Sequence, residues 1–428
     1  MQMEIKVFKF GGASIATVDR IVNVGNIIRS YSDVNILIVV SAMGKMTNAL
    51  EKVISKYITD NLPQLEILLS DIVTNYLTIG ETLGIDVNAL SDTYIQHIRN
   101  QQRLIDRKEL PTDTFIYDQI ICLGEVFSTL LLQAYLSKND HKCKWLDVRD
   151  LITTNDTYTD AKVDIVKTEN DINDIVYKEF QTNSLVITQG FIAKDSSGYT
   201  TTLGREGSDY TAALIAYSIN AAELTIWKDV PGILTGDPKL FDTATLIPKL
   251  SYREAIEMTY YGAKVIHPKT IRPIQNRKIT LNVRSFLDPN SSGTVISDIG
   301  LESYPPIIVF QEGMLLLQIF TKDFTFIAEE HLSQIFDRLT AHRIKVSVMR
   351  NSAVSFTLCV SNPGEKRMTH FLDELGDNFS YTIADNLQLL TVRHFENELL
   401  EKLTKDKIIL FEETMKQTVQ LVMECSIY

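Results

Sequence analysis

Six short segments of this chain combine glycine, charge and hydroxyl groups at spacings that can do chemistry. The first is Lys9-Phe10-Gly11-Gly12-Ala13-Ser14, where an apolar run ends and a helix is expected to begin. Glycines there let backbone N–H groups approach a phosphate, and a helix N-terminus favours anions. Lys9 can reach the same pocket and neutralise charge on a transferring phosphoryl group. Taken alone the hexapeptide reads first as a strand-to-helix turn with an exposed lysine, and it is neither a Walker A loop nor GxGxxG. The second segment, Ser41-Ala42-Met43-Gly44-Lys45-Met46-Thr47-Asn48, is another small-residue turn after a strand. Ligands of open α/β sheets bind at such strand ends, although Ser41 and Thr47 also suit turn and capping duty.

The third segment is Gly124-Glu125 inside an apolar helical stripe. A carboxylate there either points to solvent or meets a cation, because unpaired burial is costly. The fourth is the most informative: Thr201-Thr202-Leu203-Gly204-Arg205-Glu206-Gly207-Ser208-Asp209-Tyr210-Thr211-Ala212-Ala213. Ser208 or Asp209 can cap the helix that follows, and Arg205 in a tight glycine loop suits a bidentate grip on a carboxylate. The fifth, Trp227 to Lys239, carries Lys228, Asp229, Asp237 and Lys239 among turn residues. It can hold adenine and ribose, or simply cross a sheet edge. In the sixth, Tyr261-Gly262-Ala263-Lys264-Val265-Ile266-His267-Pro268, Lys264 follows a helix C-terminus, where the dipole favours a cation in any case.

Positioning these segments takes an alternation of strands and helices. Nearly continuous apolar runs predict strands at Ile5–Phe10, Asn35–Val40, Ser184–Thr188, Glu223–Trp227 and Ile279–Val283. Helices are expected at Met46–Tyr57, from about Pro63 to Ile105, and at Asp118–Leu136, Ser208–Ile219 and Tyr252–Gly262. The alternation implies a layered α/β fold with a largely parallel sheet. Turn residues at Asp288–Gly293 and Pro305-Pro306 mark a boundary. Beyond it the strands Met314–Phe320, Lys345–Met349 and Ser355–Val360, with helices Ala328–His342 and Arg367–Leu375, form a small β/α unit. A shorter version follows: Gln388–Val392, Glu396–Leu403 and Val419–Ser426. Two such units suggest a regulatory or assembly module.

At 428 residues two or three domains are expected. The formal net charge is −12, and Lys and Arg form no cluster, which argues against a general nucleic-acid binder. Cys122, Cys143, Cys359 and Cys425 are scattered without a CxxC pair, so reduced, buried thiols are expected rather than a disulfide framework or zinc site. No signal peptide is apparent, no apolar run approaches a membrane span, and the longest useful one lies near Val34–Val40. A cytoplasmic protein is the expectation.

The order and wording of the six segments closely resemble the aspartate kinases of the amino-acid kinase superfamily. The resemblance runs from Lys6 to about Ser297 in KFGG, TLGREGSDYTAA, WKDVPGILTGDP and YGAKVIHP, and continues through a C-terminal pair of ACT-like units. It implies a three-layer αβα amino-acid kinase domain over residues 1–297. Two ferredoxin-like ACT units over 306–428 would follow, the first about 313–384, the second about 385–428 plus a strand near 306–311. It implies transfer of the ATP γ-phosphoryl group to the side-chain carboxylate of L-aspartate, giving 4-phospho-L-aspartate for lysine, threonine and methionine synthesis. Magnesium would arrive on ATP, with no dedicated metal cage, and the chain would form a homodimer through its ACT-like units.

Carried over residue by residue, Lys9 resembles the lysine that stabilises the moving phosphoryl group. Asp209 resembles the aspartate that organises that lysine or the metal's waters. Gly11, Gly12 and Ser14 resemble the phosphate cradle. Glu125 and Arg205 look like the grip on the substrate's α-ammonium and α-carboxylate, with Ser41, Thr47 and Ser208 in support. Lys228, Asp229, Asp237, Lys239 and Lys264 look like the nucleotide side. The chain departs from the pattern at Ala13, often Thr in the family, and at Leu234 and Lys239, often Tyr and Arg. It departs again in the first ACT unit. Where lysine-sensitive relatives read VDxxxTSEVS, this chain reads Val346-Ser347-Val348-Met349-Arg350-Asn351-Ser352-Ala353-Val354-Ser355, which removes two carboxylates from the expected effector site. Modified or absent lysine feedback follows from that, unless Glu329 and Glu330 supply charge instead. The competing readings are a kinase of the same fold acting on another carboxylate, and a catalytically silent ligand-sensing protein.

Overall fold

The computed structural model describes residues 4–59, 61–139, 142–263, 266–323 and 325–424. They divide into two compact units.

The first unit comprises Met1–Ile233, Leu246–Ile256 and Val265–Leu301. Its core is an eight-stranded sheet in the spatial order Cys143–Trp145, Leu185–Gln189, Asn35–Val40, Ile5–Phe10, Glu223–Lys228, Thr280–Ser285, Thr294–Ser297, Lys249–Ser251. All neighbours pair in parallel except Thr280–Ser285 with Thr294–Ser297. The apolar runs explain this. Val7, Phe8, Phe10 and Leu37 to Val40 are fully buried, as strands covered by helices on both faces must be. The opening strand sits mid-sheet with Asn35–Val40 on one side and Glu223–Lys228 on the other, so its C-terminal end lies where the strand order reverses. Crevices at such switch points are where open α/β sheets take ligands.

Two expected helices prove to be pairs. The stretch from Pro63 to Ile105 is Leu62–Thr82 and Val87–Asp106, broken at Gly84 (φ +66°) and restarted by the Asp86 carboxylate capping Asn88. The Asp118–Leu136 helix is Asp113–Ile121 followed by Leu123–Lys138, with Cys122 as the joint. Among the described residues Asp113–Lys138 is long and apolar enough to cross a membrane by length and composition, which corrects the expectation that no apolar run approaches a span. Most of it is buried inside the protein. Cys122, Cys143 and Cys359 are free and buried, as expected of reduced thiols, and Cys425 lies outside the described residues.

A small sheet of Thr153–Thr154, Ile192–Asp195 and Thr200–Thr202 leads into the glycine loop at 204. The Asp118 carboxylate supports it from the Asp113–Ile121 helix, accepting from the Thr159 amide (3.0 Å), the Thr202 amide (2.9 Å) and the Thr202 hydroxyl (2.8 Å). Burial pushes the Asp118 carboxyl up to about 6, and these three donors pull it part of the way back.

The second unit comprises Leu234–Thr245, Glu257–Lys264 and Glu302–Tyr428. Its six-stranded antiparallel sheet runs Val346–Asn351, Ser355–Ser361, Ile307–Thr321, Phe379–Arg393, Thr418–Glu424, Ile409–Met415. The central strands Ile307–Thr321 and Phe379–Arg393 are each 15 residues long, so the two small β/α units share one continuous sheet. Register shifts between Gln311 and Leu316 separate the part near Ile307 from the part near Met314. Helices Glu329–Ala341 and Glu365–Leu375 bury Ile335, Leu339, Phe371 and Leu375 against Leu317, Ile319 and Leu358. Helix Asn397–Thr404 lays Leu399, Leu400 and Leu403 on Leu390, Val392 and Leu421. The edge strand Ile409–Met415 is absent from the sequence reading, and Ser426 lies outside the described residues.

Candidate active site

At the C-terminal ends of the central parallel strands of the first unit lies a cavity of about 360 Å³ lined by Lys9, Ser41, Thr47, Glu125, Phe191, Gly204, Glu206, Gly207, Ser208, Asp209 and Lys228. Seven of the sequence-predicted residues therefore meet in one place: Lys9, Ser41, Thr47, Glu125, Ser208, Asp209 and Lys228.

Lys9 is the penultimate residue of the opening strand, and its ammonium pairs with Asp209 Oδ1 at 2.6 Å, both side chains nearly buried. Asp209 stands in the first turn of helix Gly207–Ser218, where the helix dipole also favours negative charge. Burial would raise its carboxyl, but the Lys9 and Lys228 ammoniums overcome that and hold it below the usual carboxylate range. The result is two ammoniums around one fixed carboxylate, a local excess of one positive charge on a lining that also carries Glu125 and Glu206.

The backbone around Lys9 is knitted to the second glycine turn. The Ser41 amide donates to the Phe10 carbonyl (3.2 Å), Gly44 to Gly12 (3.0 Å) and Ser14 to Gly11 (2.9 Å). A Cβ on Gly11 would lie 3.6 Å from Lys9 Nζ, so this glycine borders the lysine's reach. Ser14 is buried in the short turn Gly12–Ile15, and its hydroxyl has no partner among the described residues.

Glu125 lies in the first turn of Leu123–Lys138, buried. One oxygen accepts the Ala42 amide at 3.3 Å, and the other has no partner among the described residues. Ser128 fixes the adjoining turn by accepting the Met43 amide (2.8 Å) while donating to the Gly124 carbonyl (2.6 Å). Burial pushes the Glu125 carboxyl up to about 8, with backbone donors pulling it back only in part. A buried, half-satisfied carboxylate facing a cavity is a socket for a cation.

This has a sign that can be tested. A carboxyl whose folded pKa lies above its ordinary value of 4.5 withdraws stability as pH rises from there to about 8. Glu125→Gln keeps the Ala42 contact and lacks the titration. Its melting temperature should therefore exceed that of the wild type by a margin that grows between pH 4.5 and 8 and then levels off, measured without ligand. A margin independent of pH would contradict this.

The glycine loop closes the other side. Gly190 lets the start of helix Gly207–Ser218 approach the end of strand Leu185–Gln189, since a Cβ there would lie 2.5 Å from Ser208 Cβ. Gly204 turns the chain at φ +72°. Arg205 is exposed, between the lining residues Gly204 and Glu206. Two lining residues that sequence reasoning missed are themselves in the left-handed region: Phe191 (φ +71°) and Glu206 (φ +55°). Such a conformation costs a non-glycine residue roughly 1–2 kcal/mol, and it gathers at functional sites. The motif Thr201 to Ala213 contains Glu206 but gives it no role. Phe191 carried no signal beyond following Gly190 at a strand end.

Of the remaining predicted residues, Asp229 is exposed in the turn after Glu223–Lys228. Asp237 and Lys239 belong to the second unit, where the Asp237 carboxylate accepts the Lys239 amide (2.9 Å). Lys264 lies outside the described residues.

The model of the amino acid kinase family matches residues 4–285. The chain is 33% identical over 366 residues to lysine-sensitive aspartokinase 3 of Escherichia coli (strain K12), spanning 84% of this chain and 79% of that protein. It is 32% identical over 365 residues to aspartokinase 2, chloroplastic, of Arabidopsis thaliana, spanning 82% of this chain and 65% of that one. Among solved structures, E. coli aspartokinase III in complex with aspartate and ADP (R-state) superposes with a TM-score of 0.80 at 28% identity, covering 98% of this chain and 96% of that chain. The same enzyme in complex with lysine and aspartate (T-state) gives 0.78 at 28% identity, covering 98% and 95%.

Proposed function

The chain belongs to the amino acid kinase family, among its aspartokinases, and on that premise we propose that it transfers the γ-phosphoryl group of ATP to the side-chain carboxylate of L-aspartate. The observation that carries this reading is the meeting, in one cavity, of the Lys9–Asp209 pair and the half-satisfied Glu125 carboxylate. Glu125 takes the α-ammonium, Arg205 the α-carboxylate, and Ser41, Thr47 and Ser208 complete the polar lining. The β-carboxylate is then directed at the phosphoryl group. It is already ionised near neutral pH and needs no general base. Catalysis is positioning plus neutralisation of the charge that spreads over the phosphoryl oxygens, supplied by Lys9 with Lys228 in support. Gly11, Gly12 and Ser14 cradle the phosphates, and Asp229, Asp237, Lys239 and Lys264 serve the nucleotide.

Among the described residues no three His, Cys, Asp or Glu side chains gather as a metal cage. One buried carboxylate between two ammoniums suits magnesium that comes with the nucleotide and keeps its waters, with Asp209 placed to order them. The metal, when bound, would neutralise phosphate charge.

ADP release measured with Mg-ATP against aspartate, glutamate, N-acetylglutamate, carbamate and UMP tests the reading. Turnover with aspartate above all others is expected. Turnover with another acceptor and none with aspartate would point to a different kinase of this fold, and none with any acceptor to a silent sensor.

We assign residues 1–297 to catalysis and 306–428 to two ACT-like units, about 313–384 and about 385–428 with the strand near 306–311. We place the enzyme in the cytoplasm, at the entry to lysine, threonine and methionine synthesis. Buried free thiols are consistent with a reducing compartment. The six-stranded sheet ends in the strands Val346–Asn351 and Ile409–Met415, with Met349, Ile409 and Met415 exposed. Bare strand edges invite pairing, which supports a homodimer. A chain ending near Ser297 should sediment as a monomer at low concentration where the full chain is dimeric; a truncated dimer would contradict this.

Free lysine should inhibit weakly or not at all. Ser347 in the edge strand carries a hydroxyl and Ala353 only a methyl, so neither supplies a carboxylate for an ε-ammonium. Titration of lysine and threonine, singly and together, at fixed aspartate checks this. Strong inhibition by lysine alone would shift attention to Glu329 and Glu330, exposed at the start of their helix.

A further inference from the structure

Glu206 occupies a position that backbone physics would give to glycine. It lies at φ +55° between Arg205 and Gly207, as the residue that opens helix Gly207–Ser218. A glycine would hold that conformation without strain. What a glycine could not do is reach across to the next element. Glu206 Oε2 accepts the His267 amide at 2.9 Å, and His267 caps helix Pro268–Asn276. A second tie runs parallel to it. Lys269 on that helix pairs with Asp160 at 2.7 Å, and a Cβ on Gly204 would meet Asp160 Oδ1 at 2.5 Å. The loop carrying Arg205 is thus fastened to that helix start through Glu206, while Gly204 on the other side of the arginine packs closely against Asp160, which Lys269 holds.

We propose that Glu206 is a positioning residue, whose carboxylate anchors the Gly204–Ser208 loop to the start of helix Pro268–Asn276 and so holds Arg205 and Ser208 in register with the bound amino acid. The proposal rests on the activity assigned above. It accounts for a strained, charged residue lining the cavity with no direct part in phosphoryl transfer: the strain is offset by order in the loop next to it. Removing the anchor loosens the backbone that carries Arg205 and Ser208, so the affected step is capture of the substrate's α-carboxylate, while the Lys9–Asp209 pair stays in place.

Three variants of the full chain separate the anchor from the strain and from the charge. Glu206→Gln keeps an acceptor for His267, Glu206→Ala loses it and keeps the backbone conformation, and Glu206→Gly loses it and relieves the backbone. KM for aspartate should rise about tenfold in the Ala and Gly variants, with kcat within about threefold of the wild type. The Gln variant should stay within about threefold in both. Amide exchange over the segment that includes His267 should quicken in Ala and Gly and not in Gln. The Gly variant should melt a few degrees above the Ala variant. Aspartate KM within twofold of the wild type in both Ala and Gly would overturn the proposal, and so would a Gln variant as impaired as Ala. If the wild type shows no aspartate-dependent turnover, the assigned activity fails. Calorimetric aspartate binding and His267 exchange in the three variants would then still decide the anchor.

Discussion

Replacing Lys9 with alanine is expected to lower kcat about a hundred- to a thousandfold, with KM for ATP changed only a few-fold. The reason lies in timing. In the ground state the lysine is already engaged with Asp209 at 2.6 Å, so its charge adds little to nucleotide affinity. As the phosphoryl group detaches, charge spreads over its oxygens, and an ammonium held in a nearly closed site is worth most there. The variant also strands Asp209 in a buried position, and losing one partner of a buried ion pair commonly destabilises by ~3–5 kcal/mol. Lys228 still faces Asp209 and softens that loss. Lys9→Arg keeps the charge and controls for folding: it should melt near the wild type and still lose most of kcat, because the planar guanidinium places its charge differently. An alanine variant that binds ATP poorly and turns over normally would show that Lys9 is a nucleotide-binding residue only.

The second large effect is on aspartate. Glu125→Ala and Arg205→Ala should each raise KM for aspartate by thirtyfold or more while leaving KM for ATP near normal, since truncating one side of a desolvated ionic contact costs ~2–5 kcal/mol. The two differ in what they leave behind. Glu125 is buried with one oxygen unpartnered among the described residues, so its removal relieves a desolvated carboxyl but also strands the Ala42 amide that the other oxygen accepts. Arg205 is exposed in the free protein, so its removal changes stability little. Glu125 also predicts a pH signature. Its carboxyl is held up to about 8, so kcat/KM for aspartate should climb with pH until about 8 in the wild type and lose that limb in Glu125→Gln. Aspartate kinetics near those of the wild type in both alanine variants would make these charges structural.

Much of this site was legible because its parts are punctuated in the sequence. Strand ends marked by Gly-Gly, Ala-Met-Gly and Gly-Arg-Glu-Gly are where backbone must turn at a sheet edge, and burial of the preceding runs is dictated by their apolar residues. The break at Cys122 was not legible. Its backbone is nearly helical (φ −59°, ψ −23°), and the nearby Gly124 lies inside the second helix rather than at the joint. The break near Gly84 did carry its signals, Gly84 and the capping Asp86, inside an apolar pattern that drowned them. The edge strand Ile409–Met415 escaped because Glu412, Glu413 and exposed apolar residues leave Phe411 as its one buried residue, too little for an alternation to read. Phe191 and Glu206 escaped for a different reason: residue type does not report a positive φ unless the residue is glycine.

The central claim is that the phosphoryl group lands on the side-chain carboxylate of aspartate, and trapping the product with hydroxylamine tests it most directly. An acyl phosphate reacts with hydroxylamine to give a hydroxamate at the carbon that carried the phosphate, with phosphate released. Incubation of the full chain with Mg-ATP, L-aspartate and hydroxylamine should yield the β-hydroxamate in step with ADP, and none without aspartate. A hydroxamate on the α-carboxyl, or ADP formed with no hydroxamate at all, would contradict the account.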